Sequence, residues 1–96
     1  MFARTTTWSG SPEALQKWAD HAVSQVMGFV KGLPGNAGVV FLIDRDGGMA
    51  LTLTLWETGE AASATDQFAE QSRASTVAAT GAKLVARGSY EVVASS

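Results

Sequence analysis

Three tryptophans, one histidine and a few isolated aromatic residues are the side chains in this 96-residue sequence with chemistry to offer. Trp56 comes first. It closes the run Met49-Ala-Leu-Thr-Leu-Thr-Leu-Trp56, just before a turn at Thr58-Gly59. A large indole in that place either caps a hydrophobic core or presents a flat wall on which a planar molecule stacks. Trp18 and Phe68 admit the same two readings, since each falls at helical spacing among apolar neighbours. Tyr90 either turns its hydroxyl toward a pocket or packs at an interface. His21 is the sole histidine, and imidazole is the side-chain type that ordinarily changes charge near neutrality. On the flank of a helix it is either a solvated boundary residue or a base at a pocket edge. The candidate catalytic residues are therefore His21 and Trp56, and the candidate ligand-binding set is Trp18, Trp56, Phe68 and Tyr90.

Other chemistries are excluded by what is missing. Without cysteine there is no thiolate nucleophile, disulfide or sulfur metal site. Asp44-Arg45-Asp46 precedes Gly47-Gly48 and reads as a turn, so no metal is expected. No dinucleotide, P-loop, zinc-protease or nucleophile-elbow pattern occurs, and no cofactor is expected. Lys17, Lys31, Lys83 and Arg87 are scattered, and Arg4, Arg45 and Arg73 stand singly in a chain of net charge -2. Nucleic acid, which demands cations gathered on one face, is not an expected partner. The sequence contains no apolar run near the roughly 18 residues that span a bilayer and no secretory pattern, which predicts a soluble cytoplasmic protein without membrane attachment. A composition 46% hydrophobic and only 17% charged suits one domain over residues 1–96. So little polar surface points to a face covered by a second copy.

The elements that must position these residues are legible in order. Phe2 to Trp8 is β-branched and predicts a strand. Ser11-Pro12-Glu13 opens a helix with a side-chain cap, a proline at its first position and an acid at the positive end of the dipole. Leu15, Trp18, Ala19, Ala22, Val26, Phe29 and Val30 continue as one buried stripe, and Leu33-Pro34-Gly35-Asn36 ends it. Val39 to Ile43 is apolar throughout, which predicts a strand covered on both faces. A hairpin at Asp44 to Gly48 leads to the Leu/Thr strand. The second helix is predicted from about Glu60 to Thr80, with Ala61, Ala64, Phe68, Ser72, Ser75 and Ala79 on one face and Gly81 as the stop. Lys83 to Val93 is the last strand, in which Gly88 marks a bulge or a close backbone approach. The two halves are weakly alike, each a strand, a turn and a helix opening with an acid. The order is β-α-β-β-α-β: an α+β, ferredoxin-like split βαβ with a four-stranded antiparallel sheet and helices on one face. The other face calls for a homodimer.

Leu55-Trp56-Glu57 followed by Gly59-Glu60-Ala61, a first helix ending in Leu33-Pro34-Gly35, and Ser89-Tyr90-Glu91-Val92 near the end resemble the antibiotic biosynthesis monooxygenase-like proteins. The resemblance covers nearly the whole chain. It implies a dimeric α+β barrel in which two ferredoxin-like protomers pair their sheets. It also implies a pocket between helices and sheet, lined by a tryptophan near the end of the third strand, the place Trp56 holds. Members include cofactor-free monooxygenases of polycyclic aromatic substrates and haem-degrading enzymes. The latter use an asparagine on the first strand and a histidine on the second helix. Here the first strand carries threonines, the second helix has no histidine, and Asn36 is predicted in a loop. The resemblance thus implies a small monooxygenase-like protein binding or oxidising a polyketide- or quinol-like molecule. The alternative from another class is a non-catalytic dimeric ligand-binding or assembly module.

Overall fold

A strand that alternates leucine with threonine must turn one set toward the helices. In this molecule it is the threonines. The computed structural model describes residues 1–96 and contains four strands: β1 (Phe2–Ser9), β2 (Asn36–Asp44), β3 (Met49–Trp56) and β4 (Lys83–Glu91). They form one antiparallel sheet in the order β2-β3-β1-β4. Helices α1 (Pro12–His21) and α2 (Met27–Lys31) follow β1, and α3 (Gly59–Ser63) and α4 (Asp66–Thr80) follow β3. This is the α+β, ferredoxin-like βαββαβ arrangement that the sequence predicts.

Directly paired residues in antiparallel strands share a face. Val39 pairs with Thr54, Phe41 with Thr52 and Ile43 with Ala50, and these look toward the helices. Val40 pairs with Leu53 and Leu42 with Leu51 on the opposite face, where Val40 and Leu42 are exposed. The inward threonines have a physical role. Trp8 Nε1 donates to Thr52 Oγ1 at 3.2 Å, and Trp56 Nε1 donates to Thr54 Oγ1 at 3.0 Å. A buried indole N–H without an acceptor is destabilising, so each of these tryptophans takes a hydroxyl from β3.

Helix α1 begins as its sequence dictates, with Ser11 Oγ accepting from the Ala14 N–H at 3.1 Å. Between α1 and α2 the chain makes a π-helical turn at Ala22–Val26. The extra residue rotates everything beyond it. Phe29, expected in the buried stripe, is instead exposed and stacks on Phe68 with ring centroids 4.4 Å apart. The second helix is also broken where a continuous one was expected. α3 is capped by Thr58 Oγ1 at its start, and Thr65 Oγ1 donates to the Ala62 carbonyl at 2.7 Å where it stops. The inward face nevertheless keeps one helical phase through Ala62, Thr65, Ala69, Thr76 and Thr80, about one residue from the expected face. Ala64, Ser75 and Ala79 face solvent, while Thr76 and Thr80 are buried. The last strand stops at Glu91, so Val93 lies beyond the sheet and is exposed. Gly88 is the site of a close approach, by the Tyr90 ring, and the ladder irregularity lies between Thr7 and Trp8 instead.

Two glycines with nearly equal positive φ give a controlled comparison. Gly35 (φ 79°) precedes β2, and a Cβ there would meet Ala61 Cβ at 2.5 Å; Gly81 (φ 76°) caps α4 with nothing within 4 Å. Gly81→Ala carries only the left-handed backbone penalty, about 1–2 kcal/mol. Gly35→Ala adds a clash with α3, so it is expected to lower Tm clearly more than Gly81→Ala in thermal melts. Equal shifts would mean that α3 moves away freely.

Candidate functional site

The interior is split between two hydrophobic clusters. One holds Trp8, Leu15, Trp18, Ala50 and Ala82, with Phe41 meeting Trp18 edge-on at 5.9 Å. The other holds Val30, Trp56 and Ala62, with Leu33 and Phe68 packed against it. Between them, under the π-helical turn and above the sheet, lies a cavity of about 380 Å³. Ala22 and Val26 from that turn are in its wall. A π turn widens the helix locally and leaves i→i−4 bonding behind. Nothing in the sequence of Ala22–Val26 signals it, because the apolar spacing there suits an ordinary helix.

Trp18, His21, Trp56 and Phe68 all line this cavity. Trp56 is buried and held by Thr54, so its indole is a fixed part of the wall. Trp18 is equally buried at the other end. His21 is half-buried at the last residue of α1, where the π turn begins. Phe68 closes one side with Phe29 stacked on it. Tyr90 is not brought to the site. It pairs with Ala3 on the far face of the sheet, is 59% exposed, and lies across Gly88. Of its two sequence readings the cavity reading therefore fails. Asn36 is not in a loop but starts β2, where its Nδ2 donates to the Gly38 and Leu55 carbonyls.

The sequence reading missed the arginines. Arg4, Arg73 and Arg87, far apart in the chain, all reach the cavity wall. Thr6 opposite Arg87 and Arg4 opposite Ser89 fix the inward face of β1 and β4, and Arg73 lies one turn before buried Thr76 on the inward face of α4. Arg4 donates to the Ala62 carbonyl at 2.8 Å and forms an ion pair with Asp66. The pKa of Arg73 is lowered by burial first, then by the positive charges of Arg87 and Arg4, with Glu70 and Asp66 opposing. No carboxylate lines the cavity. No group of three or more metal-ligating side chains occurs either.

Comparison with solved structures agrees with this architecture. A protein of Deinococcus radiodurans described as a candidate antibiotic biosynthesis monooxygenase superimposes with a TM-score of 0.78 at 14% identity, covering 99% of this chain and 95% of that one. Its fold is that of the antibiotic biosynthesis monooxygenases. Two further structures share this monooxygenase fold. The monooxygenase ActVA-Orf6 of Streptomyces coelicolor, solved with nanaomycin D, gives a TM-score of 0.71 at 17% identity, covering 99% and 91% of the two chains. The haem degrader MhuD of Mycobacterium tuberculosis, with two haems in its active site, gives 0.69 at 22%, covering 100% and 99%. No family model matches the sequence. Two uncharacterised proteins of Mycobacterium tuberculosis, from strains CDC 1551 / Oshkosh and ATCC 25618 / H37Rv, are 34% identical over 61 residues. The match takes in 64% of this chain but only 27% of each relative, so the chain spans about a quarter of their length. No helix is long and apolar enough to cross a membrane.

Proposed function

We propose that this protein binds a planar, polyketide- or quinol-like aromatic molecule in the cavity between helices and sheet, and oxidises it with molecular oxygen. The observation that carries the reading is the cavity beside Trp56. Its aromatic walls are already packed and hydrogen-bonded, yet the space between the two clusters is not filled by protein. Preformed, largely apolar concavities with a few polar groups are how small-molecule sites are built. That two structures of the same fold were solved with flat ligands, nanaomycin D and haem, supports a flat ligand here.

The chemistry assigned to the site is modest. An acidic C–H of a reduced aromatic such as anthrone loses its proton to the His21 imidazole. The resulting carbanion gives one electron to O2, and the radical pair recombines to a hydroperoxide. Loss of water then leaves the quinone, with one oxygen atom in product and one in water. The protein supplies orientation, a dry cavity and the proton acceptor. The walls are contributed by one protomer, and the outer face of the sheet is assigned to a second copy. Leu51, Leu53, Leu55, Val40 and Leu42 make that face apolar on a protein of low charge.

Incubation with anthrone in air tests the reading. The expected result is one O2 consumed per anthrone and anthraquinone formed, with most of the rate lost in His21→Ala. Quenching of tryptophan fluorescence by anthrone without oxygen uptake would make the protein a binder. Absence of both would overturn the cavity reading and leave an assembly module built on the sheet face.

A further inference from the structure

The cavity is chemically two-sided, because the sheet order sets β2 and β3 on one side and β1 and β4 on the other. Phe41 comes from β2 and Trp56 from β3, whereas Arg4, Arg87 and Ser89 come from β1 and β4, with Trp8 at the far end of β1 and Arg73 arriving from α4. Three of the four arginines in the chain line the cavity, and none of the nine acidic residues does. Chance placement in a protein of net charge -2 would favour the reverse.

The three guanidiniums are not equally compensated. Arg4 has its carboxylate, Asp66, which is itself 61% exposed. Arg73 and Arg87 have no ion pair. They repel one another and Arg4, and burial adds to that for Arg73. Cations gathered at one wall, with Arg4 and Arg73 half-buried, Arg87 exposed and only Asp66 and Glu70 opposing, are unfavourable unless something anionic completes them. Guanidinium is also the group whose planar fork matches a carboxylate with two parallel hydrogen bonds. A transient carbanion would not serve this need, since the repulsion is present in the resting protein. A ligand that is anionic before reaction would.

We infer that Arg73 and Arg87 form an anion subsite that holds the carboxylate of an aromatic carboxylic acid, whose ring system lies toward Trp56 and Phe41. This rests on the reading of the cavity as an aromatic-ligand site and names the class of molecule it takes. Arg4, anchored by Asp66 and the Ala62 carbonyl, sets the cationic field and shapes the wall beside the pair.

Calorimetric titration with anthracene-2-carboxylate and with its neutral amide isostere separates the two claims. The carboxylate is expected to bind about 10- to 100-fold more tightly than the amide. That preference should shrink in high salt. Arg87→Gln and Arg73→Gln should each bring the affinities for acid and amide together, and Arg45→Gln on the hairpin should change neither affinity. Arg87 is an exposed residue, so its variant is expected to fold even where that of half-buried Arg73 does not. Equal binding of acid and amide would overturn the anion subsite and leave the aromatic cavity standing. Failure of both to bind would overturn the cavity reading together with the subsite.

Discussion

Trp56→Ala is expected to lose about 3–5 kcal/mol of stability, the range for deleting a buried large aromatic. In a domain of this size that is a fall in Tm of at least about 12 °C. Trp56 is 2% exposed and packs with Val30 and Ala62, and its N–H is the donor to Thr54. Truncation would merge the vacated volume with the existing cavity, so the lining cannot collapse onto it. Trp56→Phe keeps most of the packing and removes one hydrogen bond, at about 1–2 kcal/mol. Its value is as a probe: it folds, yet presents a smaller face to a flat ligand. If Trp56 is both wall and core, the phenylalanine variant binds anthrone more weakly at nearly normal stability. A Trp56→Ala protein that melts within a few degrees of wild type would sink the core assignment.

Much of this was legible from residue order. Ser11-Pro12-Glu13 and Thr58 with Gly59 place the helix starts, because capping is a local interaction of neighbouring residues. The Leu/Thr alternation gives β3 its register but not its orientation. An apolar face is expected inward, and what reverses it is the demand of two distant indoles, Trp8 and Trp56, for hydroxyl acceptors. The arginine cluster was illegible for a similar reason. Arg4, Arg73 and Arg87 look isolated along the chain, and only the pairing of β1 with β4 and the packing of α4 by its Thr76 and Thr80 face bring them to one wall. A single inserted residue in a helix turns every later side chain by about 100°, so the π-helical turn at Ala22–Val26 defeats a periodicity count carried through it. Trp18, Trp56 and Phe68 were found because bulky aromatics belong to the interior in either reading. Tyr90 was misassigned because alternation in a strand identifies a shared face without saying which face it is.

With the outer sheet face assigned to a second copy, as proposed, Leu53→Glu is expected to give monomers where the wild type dimerises. Leu53 pairs with Val40 on β2 and with Thr5 on β1, which puts it near the middle of the outward face. In an isolated protomer that side chain is half-buried, so glutamate there still reaches water and costs the protomer less than it costs a closed interface. In a sheet-to-sheet dimer the same carboxylate is forced between two apolar layers without a partner, along with its symmetry mate. Burying an unpaired charge in this way is worth several kcal/mol, so the dissociation constant should rise by about three powers of ten or more. Sedimentation at micromolar concentration should show a dimer for wild type and a monomer for Leu53→Glu, with near-identical circular dichroism. The melting temperature of wild type should rise with protein concentration and that of the variant should not, because only the former couples folding to association. A dimeric Leu53→Glu protein would move the interface elsewhere. A wild type that sediments as a monomer would leave Val40 and Leu42 bare to water beside half-buried Leu51 and Leu53, and the sheet face would need another occupant.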